Sequence, residues 1–362
     1  MSKLQELIKE LCPDGVEFRK LGEVCEIKRG VRVVKNDLIN DGKYPVFQNS
    51  LIPLGYYDKN NYPANITFVI SAGAAGEIGY TEEPIWAADD CLTIISPNNI
   101  INKFIYYCLI ANKLFFVSKV RRASVPRLSR TVVDNFEIPI PPLEIQSEIV
   151  RILDTFTAHT AELQAELQAR KEQYEYYRNK LLTFDENDER VKWMKLGEIG
   201  NVCSGKNRDK NPIGTYPVYG STGIIAYTEN YSYCDERILI ARVGANAGYT
   251  HVAFGKYDVS DNTLIVDLKE GVNLKYVYYT LVNLNLNKYA KGGGQPLITA
   301  GEIKTIQIPI PPLSEQQRIV SILDKFESLV NDLTAGLPAE IAAVQEQYEY
   351  YRNKLLTFER KS

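Results

Sequence analysis

Glu172-Gln-Tyr-Glu-Tyr-Tyr-Arg-Asn-Lys-Leu-Leu-Thr-Phe184 recurs without a change at residues 346–358. Outward from this block, Ile138-Pro-Ile-Pro-Pro-Leu143 returns as Ile308-Pro-Ile-Pro-Pro-Leu313. Between these markers both copies carry Ile-Val-x-Ile-Leu-Asp-x-Phe, at 149–156 and 319–326. Two copies are too few for a solenoid, which needs several stacked units and caps. A twofold repeat of large units predicts pseudo-symmetry within one chain. Such a chain offers two similar surfaces, which suits a bipartite target.

The repeated segments read as long helices. From Ile149, the positions Leu153, Phe156, Thr160, Leu163, Leu167, Arg170, Tyr174, Tyr177, Leu181 and Phe184 follow a 4-3-4-3 spacing. Only Thr160 and Arg170 are out of character in this heptad seam. Each helix is expected to start just after Pro-Pro-Leu, since proline can precede a helix but not continue one. At 1.5 Å per residue, a helix from Glu144 to Thr183 spans about 60 Å, a strut rather than part of a small domain. The second copy keeps the seam but is offset by four more residues at the tyrosine block than at the proline marker. That is a stutter, and Gly336 and Pro338 close to it predict a break or kink. Two matching seams in one chain most simply pair with each other, antiparallel.

The regions between the helices must then be globular, and they are faintly related. Residues 16–24 (Val-Glu-Phe-Arg-Lys-Leu-Gly-Glu-Val) match 191–199, Tyr44-Pro-Val46 matches Tyr216-Pro-Val218, and Gly73-Ala-Ala-Gly76 has its counterpart in Gly244-Ala-Asn-Ala-Gly248. Short β-rich runs at 67–70, 92–95, 238–241 and 263–266 are separated by Gly/Asn/Asp turns, and helical stretches are expected near 104–117 and 274–286. These are α+β modules whose sequences diverge where the helices do not. The contrast predicts one scaffold bearing two different reading heads.

Bulk properties narrow the class. In 362 residues with 45% apolar and 24% charged side chains, disorder is not the reading and two domains fit. The charged, amphipathic start and the lack of a long apolar run predict neither signal peptide nor membrane span. Six scattered cysteines without a C-x-x-C pair predict reduced thiols in a cytoplasmic protein. A net charge of −3 argues against a non-specific polyanion binder but leaves local patches open.

Those patches are the candidate site. Lys119, Arg121, Arg122, Arg127 and Arg130 cluster without an acid between them, and phosphate contact is preferred here over a merely solvated surface. The second head answers with Lys291-Gly-Gly-Gly-Gln295-Pro296, where backbone N–H groups could approach a phosphate and Gln295 could read a base edge, or which is simply a flexible linker. Lys28, Arg29, Arg32 and Lys35 in one head, and Lys206, Arg208 and Lys210 in the other, form matching basic loops that suit a polyanion or a solvated turn alike. Gly200-x-x-x-x-Gly205-Lys206 looks like a phosphate loop, but Asn207 stands where Ser/Thr should hold Mg²⁺. His159 and His251, the only histidines, suggest no catalytic triad or metal cluster. Tyr176 and Tyr350 fall off the seam, so an identical patch on both helices could dock two copies of one partner, or simply pack.

These lead-ins, helix starts, Tyr-Tyr-Arg-Asn-Lys-Leu-Leu ends and Lys-Leu-Gly-Glu openings resemble the specificity subunits of type I restriction–modification enzymes, over essentially the whole chain. The resemblance implies an α+β fold of two target recognition domains joined by two antiparallel coiled-coil helices, pseudo-twofold. The boundaries would be 1–137 and 185–307 for the recognition domains, with 138–184 and 308–362 as spacer helices. It implies one half of a split double-stranded DNA site per domain, with two methyltransferase subunits docked on the helices through Tyr176, Arg178, Tyr350 and Arg352. Restriction subunits join afterwards. It further implies that Thr160-Ala-Glu-Leu163, with its near copy 164–167, is a length element of the spacer. No cofactor, metal, catalytic residue or membrane is expected, because the chain lacks the Pro-Pro-Tyr/Phe stretch that holds a flipped adenine, and lacks glycine loops for a methyl donor. A related type II-like system with a fused partner, and a protein-binding scaffold without DNA, are the alternatives.

Overall fold

The computed structural model describes residues 3–206, 214–221, 223–331 and 336–361. The chain divides into two compact units, one of residues 1–164 with 340–362 and the other of 165–339. Each unit thus combines one divergent region with the start of the helix after it and the end of the other repeated helix.

The first unit holds an antiparallel four-stranded sheet in the order Glu26–Arg29, Cys91–Ile95, Ile66–Ile70, Ile78–Thr81. Beside it lies a three-stranded sheet of Gly55–Tyr57, Tyr44–Phe47 and Trp86–Ala87, the last pair parallel. The second unit repeats both sheets strand for strand: Gly200–Ser204, Thr263–Leu268, Arg237–Ala241 and Thr250–Ala253, then Gly223–Thr228, Tyr216–Gly220 and Asp258–Val259. All four β-rich runs expected from sequence are strands here. The expected helical stretches are each broken once, into Asn102–Ala111 with Lys113–Ser118, and Leu274–Leu284 with the 3₁₀ turn Leu286–Tyr289. At the second break Asn285 adopts φ 49°, a left-handed conformation that asparagine tolerates and that ends a helix.

The first repeated helix is continuous over Leu143–Leu182. Its heptad seam is the stripe that leaves solvent: Ile149, Leu153, Leu163 and Tyr174 are buried, and Phe156, Leu167, Tyr177 and Leu181 are half-buried. The two irregular seam residues are satisfied locally. The Thr160 hydroxyl donates to the Phe156 carbonyl, and Arg170 donates to the Gln173 and Glu166 side chains. The second copy forms Leu313–Asn331 and Leu337–Leu355. The expected interruption is present: one helix ends at Asn331, Gly336 lies in a bend and the next helix begins at Leu337, while 332–335 lie outside the described residues. Pro338 sits in the first turn of the next helix, where its missing N–H costs nothing.

Helix pairing is antiparallel. In the first unit the start of the first helix (Ile145, Ile149, Leu153) shares a core with the end of the last (Tyr348, Leu355), and Phe156 stacks on Tyr351 at 5.5 Å. In the second unit the end of the first helix (Tyr174, Leu182) shares a core with Ile319, Leu323 and Val330, and Tyr177 stacks on Phe326, also at 5.5 Å.

Each head is locked to its helix by the same joint. Buried Gln146 accepts from the Ile101 N–H at the start of the head helix and donates to the Pro141 carbonyl. Buried Gln316 does the same with the Asn273 N–H and the Pro311 carbonyl. About two turns on, the Tyr107 hydroxyl donates to Asp154, and Tyr279 lies 2.6 Å from both Asp324 and Glu327. Burial, and then these carboxylates, hold both phenols well above their usual range.

Among the described residues, the first unit alone has the added helix Lys3–Leu11, pinned by buried Leu4 and by Lys3, whose ammonium donates to Glu148 at 3.2 Å. Hydrogen bonds from Arg151 and then Lys3 hold the Glu148 carboxyl at about 2. Its depressed value means that its stabilisation is present above the ordinary carboxylate range and lost as pH falls toward about 2. Glu148→Gln is expected to lower Tm by a few degrees at neutral pH. In melts across a pH series, the difference from the parent should shrink on acidification; a difference that grows with acid would contradict this assignment.

Candidate nucleic-acid interface

The basic residues of the first unit gather where strands Glu26–Arg29 and Ile66–Ile70 finish and Cys91–Ile95 begins, since Arg29 pairs with Leu92 and Ile70 with Cys91. Gly30 passes so close to the Ala87 and Ala88 carbonyls that a Cβ would lie 2.2 and 2.3 Å from their oxygens. The chain is held there by the Val31 N–H on the Ala87 carbonyl and by the Trp86 indole N–H on the Val31 carbonyl. Arg29 and Arg32 on either side of this crossing are exposed.

The cluster 119–127 is a hairpin docked on the same sheet end. Arg121 and Arg127 exchange backbone hydrogen bonds at 2.8 and 3.1 Å. The Gly73 N–H donates to the Pro126 carbonyl, the Leu128 N–H to the Ser71 carbonyl, and the Leu128 side chain is buried. Gly73, at φ 83°, makes the turn this requires. The frame is therefore backbone and one apolar anchor, which leaves Arg121, Arg122 and Arg127 exposed. Among the described residues none of the three has a carboxylate within 4.0 Å. Lys119 lies over the Phe115 ring, Arg130 pairs with Asp134 at 3.3 Å, and Lys28 with Glu26 at 2.9 Å. Half-buried Asp89 and Asp90 share this end, and one Asp89 oxygen is buried without a partner.

The second unit builds the same frame from other side chains. Lys291 and Leu297 exchange backbone bonds at 3.0 and 2.8 Å, the Gly244 N–H donates to Pro296, and the Ile298 N–H to Arg242. Here the hairpin carries Gly292, Gly293, Gly294 and exposed Gln295, with φ 110° at Gly292. Lys291 Nζ is ion-paired with Glu302 at 2.7 Å and holds that carboxyl at about 2. Lys206 is exposed next to the crossing, while Arg208 and Lys210 lie outside the described residues. The stretch resembling a phosphate loop is the strand Gly200–Ser204, paired with Thr263–Leu268. Gly205 is the counterpart of Gly30, with a Cβ position 2.3 Å from the Ser260 oxygen. Its glycine serves a chain crossing, not a nucleotide.

The identical tyrosine blocks keep similar exposed faces. Tyr176 is 59% and Tyr350 60% exposed, with Lys180 and Lys354 over their rings at 5.8 and 5.6 Å. Arg178 and Arg352 turn instead onto Tyr174 and Tyr348, and Arg178 Nε also meets Asn283. The outward features of both blocks are thus a tyrosine face and a lysine.

The structure brings Arg29, Arg32, Arg121, Arg122 and Arg127 to one sheet end of the first unit, and Lys206, Lys291 and Gln295 to the matching end of the second. What the sequence reading missed is the strand-end loop beneath each hairpin, Ser71 in one unit and Arg242 in the other. The signal was present: both lie two residues before the matched glycines Gly73 and Gly244.

Comparison with known proteins places this geometry in context. The family model described as "Type I restriction modification DNA specificity domain" matches twice, at residues 13–173 and 189–343. The chain is 33% identical over 407 residues to the type I restriction enzyme EcoR124I/EcoR124II specificity subunit of Escherichia coli, covering 99% of this chain and 98% of that one. Its fold is similar to the crystal structure of a type I restriction–modification S subunit from M. genitalium, with a TM-score of 0.67 at 17% identity over 94% of this chain and 96% of the other. A chain solved in a study of assembly and conformational transition of the type I system gives 0.60 at 19% identity, covering 95% and 98%.

Proposed function

Because this chain belongs to the type I restriction–modification DNA specificity family, we propose that each unit reads one half of a bipartite double-stranded DNA site while partner subunits perform the chemistry. The observation that carries this reading is the pair of sheet-end hairpins: the same backbone hydrogen bonds in both units, bearing four cations in one and, in the other, three glycines, a glutamine and one ion-paired lysine. An equal frame with unequal side chains is what two different half-sites require. Arg29, Arg32, Lys119, Arg121, Arg122 and Arg127 face the phosphates in the first unit. In the second, Lys206 and the hairpin N–H groups do so, and Gln295 faces a base edge. Arg208 and Lys210, which follow Lys206 in the sequence, are assigned to the phosphates with it.

In this proposal the chain carries no catalytic residue of its own and needs no cofactor. Its recognition domains correspond to 1–137 and 185–307, and its spacer helices to 138–184 and 308–362. Two methyltransferase subunits dock on the helices, restriction subunits join the complex, and the assembly works in the cytoplasm. Among the described residues no helix is long and apolar enough to cross a membrane. The test is methylome sequencing of cells holding the modification partner with and without this chain. A split motif that vanishes with the chain supports the proposal; methylation indifferent to it removes the proposal.

The docking half has its own expected result. Tyr176→Ala or Tyr350→Ala should each weaken one methyltransferase subunit about 30-fold or more, as loss of a tyrosine hot spot does. The double variant should carry none at working concentrations by native mass spectrometry. Because both side chains are exposed, the melting temperature of the chain should not move. Unchanged two-to-one assembly in the double variant would place the partner elsewhere.

A further inference from the structure

We propose, resting on the half-site reading above, that Arg242 is the base-reading side chain of the second unit, its guanidinium donating in parallel to O6 and N7 of a guanine. The position follows from the equivalence of the two frames. Ser71 accepts the Leu128 N–H in the first unit, and Arg242 accepts the Ile298 N–H in the second, each at the strand end under its hairpin. Ser71 is a finished structural residue: it is buried, and its hydroxyl donates to the Asp90 carbonyl. Arg242 is not finished. Its Nη1 donates to the Asp261 carbonyl at 3.3 Å, its Nε is buried with no partner, and no described carboxylate lies within 4.0 Å.

The unpaired charge thus differs in place between the units: on the hairpin in the first, and at the strand end beneath a hairpin whose one lysine is ion-paired in the second. A half-buried guanidinium with a buried, unmet Nε and no described counter-ion carries a desolvation cost that an acceptor bound at its open edge would offset. The hairpin composition fits this. A Cβ on Gly293 or Gly294 would meet nothing within 4 Å, so the fold does not itself demand glycine there. Their lack of side chains keeps the strand end clear for a close, flat partner.

The chemistry favours a base over a phosphate. Exposed arginines such as Arg121 and Arg122 suffice for phosphate. Arg242 is held at its backbone by Asn262 and Ile298 and at one guanidinium nitrogen by Asp261, which leaves a planar fork with a fixed direction. Guanine is the base that offers two acceptors on its major-groove edge in the spacing such a fork matches.

The experiment uses the whole chain with its modification partner in cells, and compares methylomes of the parent, Arg242→Gln and Arg242→Lys. Melting temperatures near the parent's verify folding, and either variant alone can decide. Both should relax one G·C position in one half-site, with methylation at the substituted sites rising about ten- to a hundredfold relative to the cognate site, while the other half stays strict. Lysine should not restore strictness, because an ammonium keeps the charge and loses the fork. An unchanged motif, a strict motif in Arg242→Lys, or a uniform fall in methylation with no relaxed position would each overturn the assignment. If the parent itself directs no split motif, the half-site reading fails instead.

Discussion

Replacing Arg121, Arg122 and Arg127 together by alanine is expected to weaken binding of the complex to its DNA by about two orders of magnitude near 0.1 M salt. The same change should reduce the slope of log affinity against log salt by about 2.7, the counter-ions of three phosphates at 0.9 each. The three side chains are exposed and have no described carboxylate partner, so no internal ion pair is lost with them. The hairpin itself is held by the Arg121 and Arg127 backbone groups, the Gly73 and Leu128 N–H bonds and the buried Leu128 side chain, all of which alanine preserves. Folding should therefore be intact, and both halves of the methylated motif should remain the same. A salt slope that does not change would show that these arginines face solvent in the complex. A new motif would show that they read bases rather than phosphates.

Deleting Thr160–Leu163 should change the spacer and leave both half-sites as they are. The segment lies inside the continuous helix Leu143–Leu182, so its loss shortens that helix by about 6 Å and rotates the remaining turns by about 40°. Four residues are not a heptad, so the seam must adapt by a local change of winding, as at any stutter. None of the four residues belongs to either sheet-end frame. Methylome sequencing should then find both half-sites unchanged and the unread spacer shorter by about one to two base pairs, at roughly 3.4 Å each. Insertion of a further tetrapeptide should lengthen it. A spacer of parental length with full methylation would rule out the helix as the measuring element.

Much of the fold was legible because helices write their partners into the chain. The 4-3-4-3 spacing from Ile149 marks the buried stripe residue by residue, and Arg170 at a seam position is accommodated by polar neighbours one turn away. The strands could be read from β-branched runs between turn residues. The joint between head and helix could not. Gln146 and Gln316 look like surface residues of an amphipathic helix, yet both are buried amides spent on the first N–H of a helix over forty positions upstream. Nothing local distinguishes them, because their partners are distant in sequence.

The candidate site divides in the same way. Clustering exposed the cations at 119–130, since charge density along a chain is visible in one dimension. It could not tell that Lys291 and Lys28 are neutralised by Glu302 and Glu26 while Arg121 and Arg127 have no carboxylate partner among the described residues. Nor could it show that Arg242, isolated in sequence between apolar residues, stands beneath a hairpin some fifty residues later.

By itself, then, the sequence determined that the molecule is built twice, from helices of set length and heads that differ, because periodicity and identity are properties of the chain alone. Tertiary structure decided which side chains remain unpaired at the sheet ends. That depends on hydrogen bonds between segments such as 71–73 and 126–128, or 242–244 and 296–298, which only folding brings within 3 Å or so of one another.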